Sequence, residues 1–280
     1  MSESRPTSLH VGRRSAMVLA VASLAGLVMF AWPLILQPAA GVERVDQPFL
    51  FMLIFPIVLG LVVAELTEGG MDSRTLAVLA VLTAVNGAIR SLGAGVAGIE
   101  TVFFLLILGG RVFGPGFGFA LGCTSLFTSA LLTSGVGPWL PFQMMCAAWV
   151  GMGAGLLPRR VTGRWEIALL VAYGVVAAYL YGFLMNLSSW PFTLGIAVPG
   201  AGDGLQMVPG DPVLDNLHRF VVFTLLTSTW GWDTGRAITT GVLLVVLGPA
   251  LLTTFRRALR RVRIVTTLAP AEPGAPASTR

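Results

Sequence analysis

Charge is scarce in this chain: of 280 residues only 11% are Asp, Glu, Lys or Arg, against about 25% in an ordinary soluble domain. Lysine is absent, so all 18 basic residues are arginine, and there are two histidines and two cysteines. Each shortage closes a class of function. His10 and His218 lie far apart in the sequence, and Cys123 and Cys146 sit inside apolar runs without CxxC or Cys/His spacing. That leaves no metal-ligand set and no disulfide framework, and the two thiols read as small packing residues. HExxH, GxSxG, paired-carboxylate and phosphate-cradling motifs are missing as well. The chain is therefore expected to be no enzyme and to carry no cofactor.

What is present is apolar. Hydrophobic residues make up 55% of the chain, with 34 glycines among the rest, the composition of an all-α polytopic membrane protein. About 20 apolar residues cross a hydrocarbon core of about 30 Å, so about eight spans with short loops use the whole length and leave no room for an ATPase domain. Glycine serves close helix packing there as much as turns. The net charge of +5 does not point to nucleic acid, because the arginines cluster at the ends of apolar runs and no nucleic-acid-binding motif accompanies them. Arg256, Arg257, Arg260, Arg261 and Arg263 follow the last apolar run, as a cytoplasmic stop with affinity for anionic membrane lipid requires.

Arginine placement orients the spans. Residues 1–14, with Arg5, Arg13 and Arg14, read as a cytoplasmic segment, residues 15–263 as the membrane domain and 264–280 as a disordered cytoplasmic tail. Spans are expected at Ser15–Leu36, Phe49–Ala64, Thr75–Leu92, Ile99–Val112, Phe117–Thr133, Phe142–Leu157 and Trp165–Asn186. The third and fourth form a hairpin over the turn Gly93–Gly98, and Gly114-Pro115-Gly116 separates the fourth from the fifth. Leu187–Asn216 is then a long outer loop. Leu217–Phe255 has the length of two spans, yet an outer start and an Arg-rich inner end require an odd number of crossings. Leu217–Trp230 is accordingly expected to be re-entrant or to lie on the outer surface, broken at Gly231–Gly235 ahead of a full span Arg236–Phe255. Both termini come out cytoplasmic, in the cell membrane.

Ionisable groups at membrane depth are costly, which makes them functional candidates. Arg90 and Glu100 flank the Gly93–Gly98 turn, and Asn86 lies one helical turn from Arg90 on the same face. They form a structural ion pair, or Arg90 snorkels to the interface, or they belong to a ligand pocket. Trp139, Trp190, Trp230 and Trp232 fall at outer boundaries. They belong either to an aromatic belt or to a rim that stacks on a flat ligand, with Gln143, Asn186, Arg219 and Asp233 near enough in sequence to bind its polar edges. Arg111 reads as an inner-face anchor. In the first span Ala16 and Ala20 are four apart, as are Ala22 and Gly26, spacings that let another helix approach.

Ala16-Met-Val-Leu-Ala20, the stretch Gly114-Pro-Gly-Phe-Gly-Phe-Ala-Leu-Gly122 with Ser125, Ser129 and Ala130 after it, and Gly137-Pro-Trp-Leu-Pro-Phe-Gln143 together resemble the S-component of an energy-coupling factor (ECF) transporter. The resemblance covers roughly residues 14–262. It implies a six-helix core with additional helices, binding a vitamin near the outer face, with a weak lean to cobalamin or a related corrinoid; riboflavin and thiamine-type ligands remain open. It also implies a transmembrane coupling subunit and two cytoplasmic ATPases as partners, with Ala16 and Ala20 matching the family's AxxxA docking surface. A secondary transporter of a small organic solute, and a membrane scaffold or lipid-directed enzyme, are the alternatives.

Overall fold

The structure, a computed structural model, describes residues 12–35, 47–68, 71–93, 98–193, 203–208 and 210–268. Among them every regular element is a helix: α1 (Arg13–Phe30), the single turn α2 (Trp32–Ile35), α3 (Gln47–Glu68), α4 (Ser73–Gly93), α5 (Val102–Phe113), α6 (Pro115–Leu132), α7 (Leu140–Leu156), α8 (Arg164–Ser189), α9 (Val213–Thr224) and α10 (Thr234–Leu268). Each of the seven spans expected before residue 190 overlaps one of these longer helices. Residues 36–46 between the first two expected spans, the centre of the Gly93–Gly98 turn and the tail beyond Leu268 lie outside the described residues.

By length and composition, four helices can each cross a membrane: Arg13–Phe30, Pro115–Leu132, Arg164–Ser189 and a continuous rod from Val213 to Arg260. The chain is thus a multi-pass membrane protein. α5, expected to be a span, has a different place. Its 12 residues are all buried, and at about 1.5 Å per residue it is about 18 Å long, well short of the hydrocarbon core. Protein surrounds it on every side, so it serves as the axis on which the other helices pack.

Glycine decides how closely they do so. α6 and α7 run antiparallel with Gly118 against Gly151 and Gly122 against Ala147, and α5 joins them where Gly110 meets Gly151; a Cβ on Gly110 or Gly118 would collide with the Gly151 carbonyl. Between α5 and α6 the chain reverses at Gly114, whose φ of 111° favours glycine, and Pro115 starts α6. Cys123 and Cys146 are buried and free, filling space as small apolar groups do.

The C-terminal region corrects the sequence reading. No break occurs at Gly231–Gly235: Val213–Arg260 is one helix of 48 residues, with a π-helical stretch over Leu225–Asp233. The wider turn keeps the backbone bonded while Thr229 and Thr234 hydroxyls donate to the carbonyls five residues back, at 3.2 and 2.7 Å. A glycine inside such a helix costs only about 1 kcal/mol relative to alanine, too little to end a rod packed along α8. A single rod therefore replaces the expected re-entrant or outer-surface helix and the full span after it. Phe220 and Asp233 both meet the last turns of α8, Phe220 through Phe183 and Trp190 and Asp233 through Gly182.

The two ends of the bundle differ. At one, the ends of α5 and α7 and the start of α8 are tied by Arg111: its Nε donates to Glu166 Oε1 at 2.7 Å, and its Nη atoms donate to the carbonyls of Leu157, Pro158 and Val161 at 2.9–3.1 Å. Arg256 of α10 bridges to the same carboxylate at 2.6 Å. Arg159, Arg160 and Arg164 lie in sequence around this cluster. The candidate functional residues lie at the other end.

Candidate functional site

α4, α6 and α8 finish, and α5, α7 and α10 begin, around a partly open cavity of about 450 Å³. Arg90, Glu100, Trp139 and Gln143, all singled out from the sequence, line it together, along with Trp232, Tyr181, Met185 and Arg236. The hydroxyl-bearing Ser91 and Thr133 complete its polar wall.

Helix ends position the charged groups. Arg90 is in the last turn of α4; its Nη1 donates to Ser129 Oγ at 3.0 Å and its Nη2 to Gln143 Oε1 at 3.4 Å. Both acceptors are neutral. Glu100 stands just before α5 on the cavity wall and pairs with Arg236, whose Nε donates to Oε2 at 2.5 Å. Nη1 of Arg236 donates to Asp233 Oδ1 at 2.8 Å, and the remaining Asp233 oxygen accepts from Ser228 Oγ at 2.9 Å. The Arg236 guanidinium also lies 4.7 Å from the Tyr181 ring centre, where a cation is attracted by the ring face. One arginine is thus held by two carboxylates and an aromatic ring, and the other, among the described residues, by neutral hydrogen bonds.

The remaining sequence candidates are elsewhere. Asn86 is fully buried one turn from Arg90, off the cavity wall, and neither its side-chain oxygen nor its nitrogen has a partner among the described residues. Asn186 also stands off the wall, with its buried Nδ2 unpartnered among them. Trp190 is fully buried in a small second core with Leu187, Met207 and Phe220, where its Nε1 donates to the Leu205 carbonyl at 3.0 Å. Arg219 is paired with Asp211 at 2.6 Å and bonded to Asn216. Trp230 points out from the π stretch, 79% exposed. Asp233 stands behind the wall and acts on it through Arg236.

Arg236 is the residue that sequence reasoning passed over, because it was taken as the first residue of a span after a break. Its signal was Asp233 three positions earlier, a spacing that pairs opposite charges once the helix is continuous. Tyr181 and Met185 came from the interior of an apolar run and gave no local signal. Among the described residues no three His, Cys, Asp or Glu side chains gather where they could hold a metal ion.

In comparison with known proteins, the family model of the ECF transporter substrate-specific component matches residues 74–255, more than half of the chain. No curated protein and no solved structure matches. The matched region runs from the start of α4 to the α10 residue next to Arg256, so it takes in every helix that contributes to the cavity and leaves α1 and α3 outside.

Proposed function

The chain belongs to the family of ECF transporter substrate-specific components, and on that premise we propose that it is the membrane-embedded binding subunit of an ATP-driven importer, taking a vitamin-class micronutrient into the cavity between Arg90 and Arg236. The observation that carries this reading is a coincidence of boundaries: the six rods inside the family match are those that enclose the cavity. Its volume lies within the range of about 300–1,000 Å³ that holds drug-sized ligands. A corrinoid exceeds that size and would have only one edge inside, so a smaller vitamin fits the enclosed space better.

Orientation follows from charge. Arg111, Arg159, Arg160, Arg164 and Arg256 gather at the end opposite the cavity, and basic residues favour the cytoplasmic face. The cavity then faces outside and both termini lie inside. Ligand binding by this subunit requires no chemistry on the ligand; a transmembrane coupling subunit and two cytoplasmic ATPases would supply the energy.

The coupling subunit needs a smooth helical face. Ala16 and Ala20 are exposed on α1, but α1 precedes the family match. α4, the first helix within it, exposes Ala80, Ala84 and Ala88 at four-residue spacing, and the docking role expected of the α1 alanines is assigned to this second face.

The test is uptake and binding together. Cells expressing the chain with its coupling module should accumulate one vitamin of a panel, and should lose that uptake when the ATPase nucleotide sites are disabled, while the detergent-purified chain still binds it. Uptake that persists without working ATPases would replace this reading with secondary transport.

A further inference from the structure

The two guanidinium groups on the cavity wall are unequally available. Arg236 is shared between Glu100 and Asp233, two formal negative charges against one positive, so its corner repels an anion and its own donors are largely engaged. Among the described residues Arg90 has Ser129 Oγ and Gln143 Oε1 as its partners, and neither neutralises it. A guanidinium offers five N–H donors, which leaves Arg90 with donors to spare. A cation at partial burial held by neutral acceptors is under-compensated, and a carboxylate or phosphate that shares its donors recovers a charge-assisted, bidentate interaction.

The opposite corner has the complementary character. Glu100 lines the cavity with its side chain 12% exposed, and among the described residues its Oε2 is engaged by Arg236 while Oε1 forms no hydrogen bond. Trp139 and Trp232, each about half exposed at 49% and 48%, provide flat apolar surface on the same wall. The cavity is therefore polarised, with a guanidinium that no described carboxylate pairs at one corner, a carboxylate at another and aromatic faces on the same wall.

Resting on the binding role proposed above, we propose that the ligand enters with a carboxylate or phosphate on Arg90 and an N–H donor toward Glu100, so that Arg90 is the residue selecting acidic over neutral forms of the ligand.

The experiment uses the full-length chain in detergent and matched probes that differ in one acidic group: nicotinate and nicotinamide, biotin and biotin amide, thiamine monophosphate and thiamine, riboflavin 5′-phosphate and riboflavin. The expected result is that, in the pair that binds, the acidic member binds about tenfold tighter or more, the scale of one hydrogen bond to a charged group. The vitamin pairs also separate a carboxylate from a phosphate preference. Arg90→Gln should abolish that ratio and Arg90→Lys should retain part of it, with thermal unfolding of the ligand-free variants unchanged. If Arg90→Gln does not fold, the wild-type ratio and Arg90→Lys decide. A neutral member that binds as tightly as its acidic counterpart, or an acidic preference undiminished in Arg90→Gln, overturns the selection and leaves the binding role standing. Failure of every probe, with and without the coupling module, removes the binding role and this inference with it.

Discussion

Glu100 and Arg236 are 136 positions apart in sequence and 2.5 Å apart in space, which ties the segment ahead of the central helix α5 to the first turn of α10. Asp233 joins them from the π stretch. Removing one member of a buried, hydrogen-bonded charge cluster strands the others, at a cost of about 3–5 kcal/mol. Arg236→Met, which leaves two carboxylates facing each other, is expected to lower the thermal unfolding temperature in detergent more than Glu100→Gln, which leaves Asp233 in place. Equal melting of the two variants would show that the pair carries little of the fold.

The Arg111 end offers a graded series. Glu166→Gln deprives a buried Arg111 of its carboxylate and is expected to destabilise strongly. Arg256→Gln removes a partner whose side chain is 37% exposed, and exposed pairs contribute only about 0–1 kcal/mol. Melting curves that rank the two variants in the reverse order would locate the important charge on α10 instead of α5.

Sidedness is open to chemical labelling. Cys123 and Cys146 are buried, so background reaction should be low. In intact cells a membrane-impermeant maleimide is expected to label Leu214→Cys, at an exposed position near the start of α9, and to spare Arg160→Cys until the cells are opened. Labelling of Arg160→Cys from outside would invert the topology.

Docking can be separated from binding by bulk on a small-residue face. Ala84→Trp is expected to stop co-purification with the coupling subunit and to leave ligand binding intact, and Ala16→Trp and Ala20→Trp are expected to do neither. Loss of the complex in the α1 variants alone would return the docking face to α1.

Glycine substitutions test the packing. Gly151→Ala, placed against Gly118 and Gly110, is expected to destabilise by more than the usual overpacking range of about 1–3 kcal/mol, because backbone cannot step aside as a side chain can. Gly60→Ala in α3, with nothing near its Cβ position, is expected to be neutral or to stabilise by about 0.5–1 kcal/mol. Thermal unfolding distinguishes them.

The length of the apolar runs and arginine placement made the helices up to residue 190 legible, since both depend on local sequence against the dimensions of a membrane. Burial of α5 from all sides was not legible, because its sequence is as apolar as a lipid-facing span and only its neighbours reveal the difference. Gly231 and Gly235 marked a break where the structure has a continuous rod, since propensity is a small term beside packing along α8. In the cavity, Arg90, Glu100, Trp139 and Gln143 flank loops and could be read from position. Arg236 and Tyr181 reach it from within long helices, and Trp190 packs instead in a core with Leu187 nearby and Met207 and Phe220 from later segments.

Where α5, α6 and α7 touch at Gly110, Gly118 and Gly151, backbone meets backbone and no rotamer can change to let one helix slide on another. These three helices form a fulcrum. Around that fixed point the Glu100–Arg236–Asp233 cluster fastens the start of the central helix to the long C-terminal rod at the cavity end, so the same wall is pinned by backbone below and by charge above.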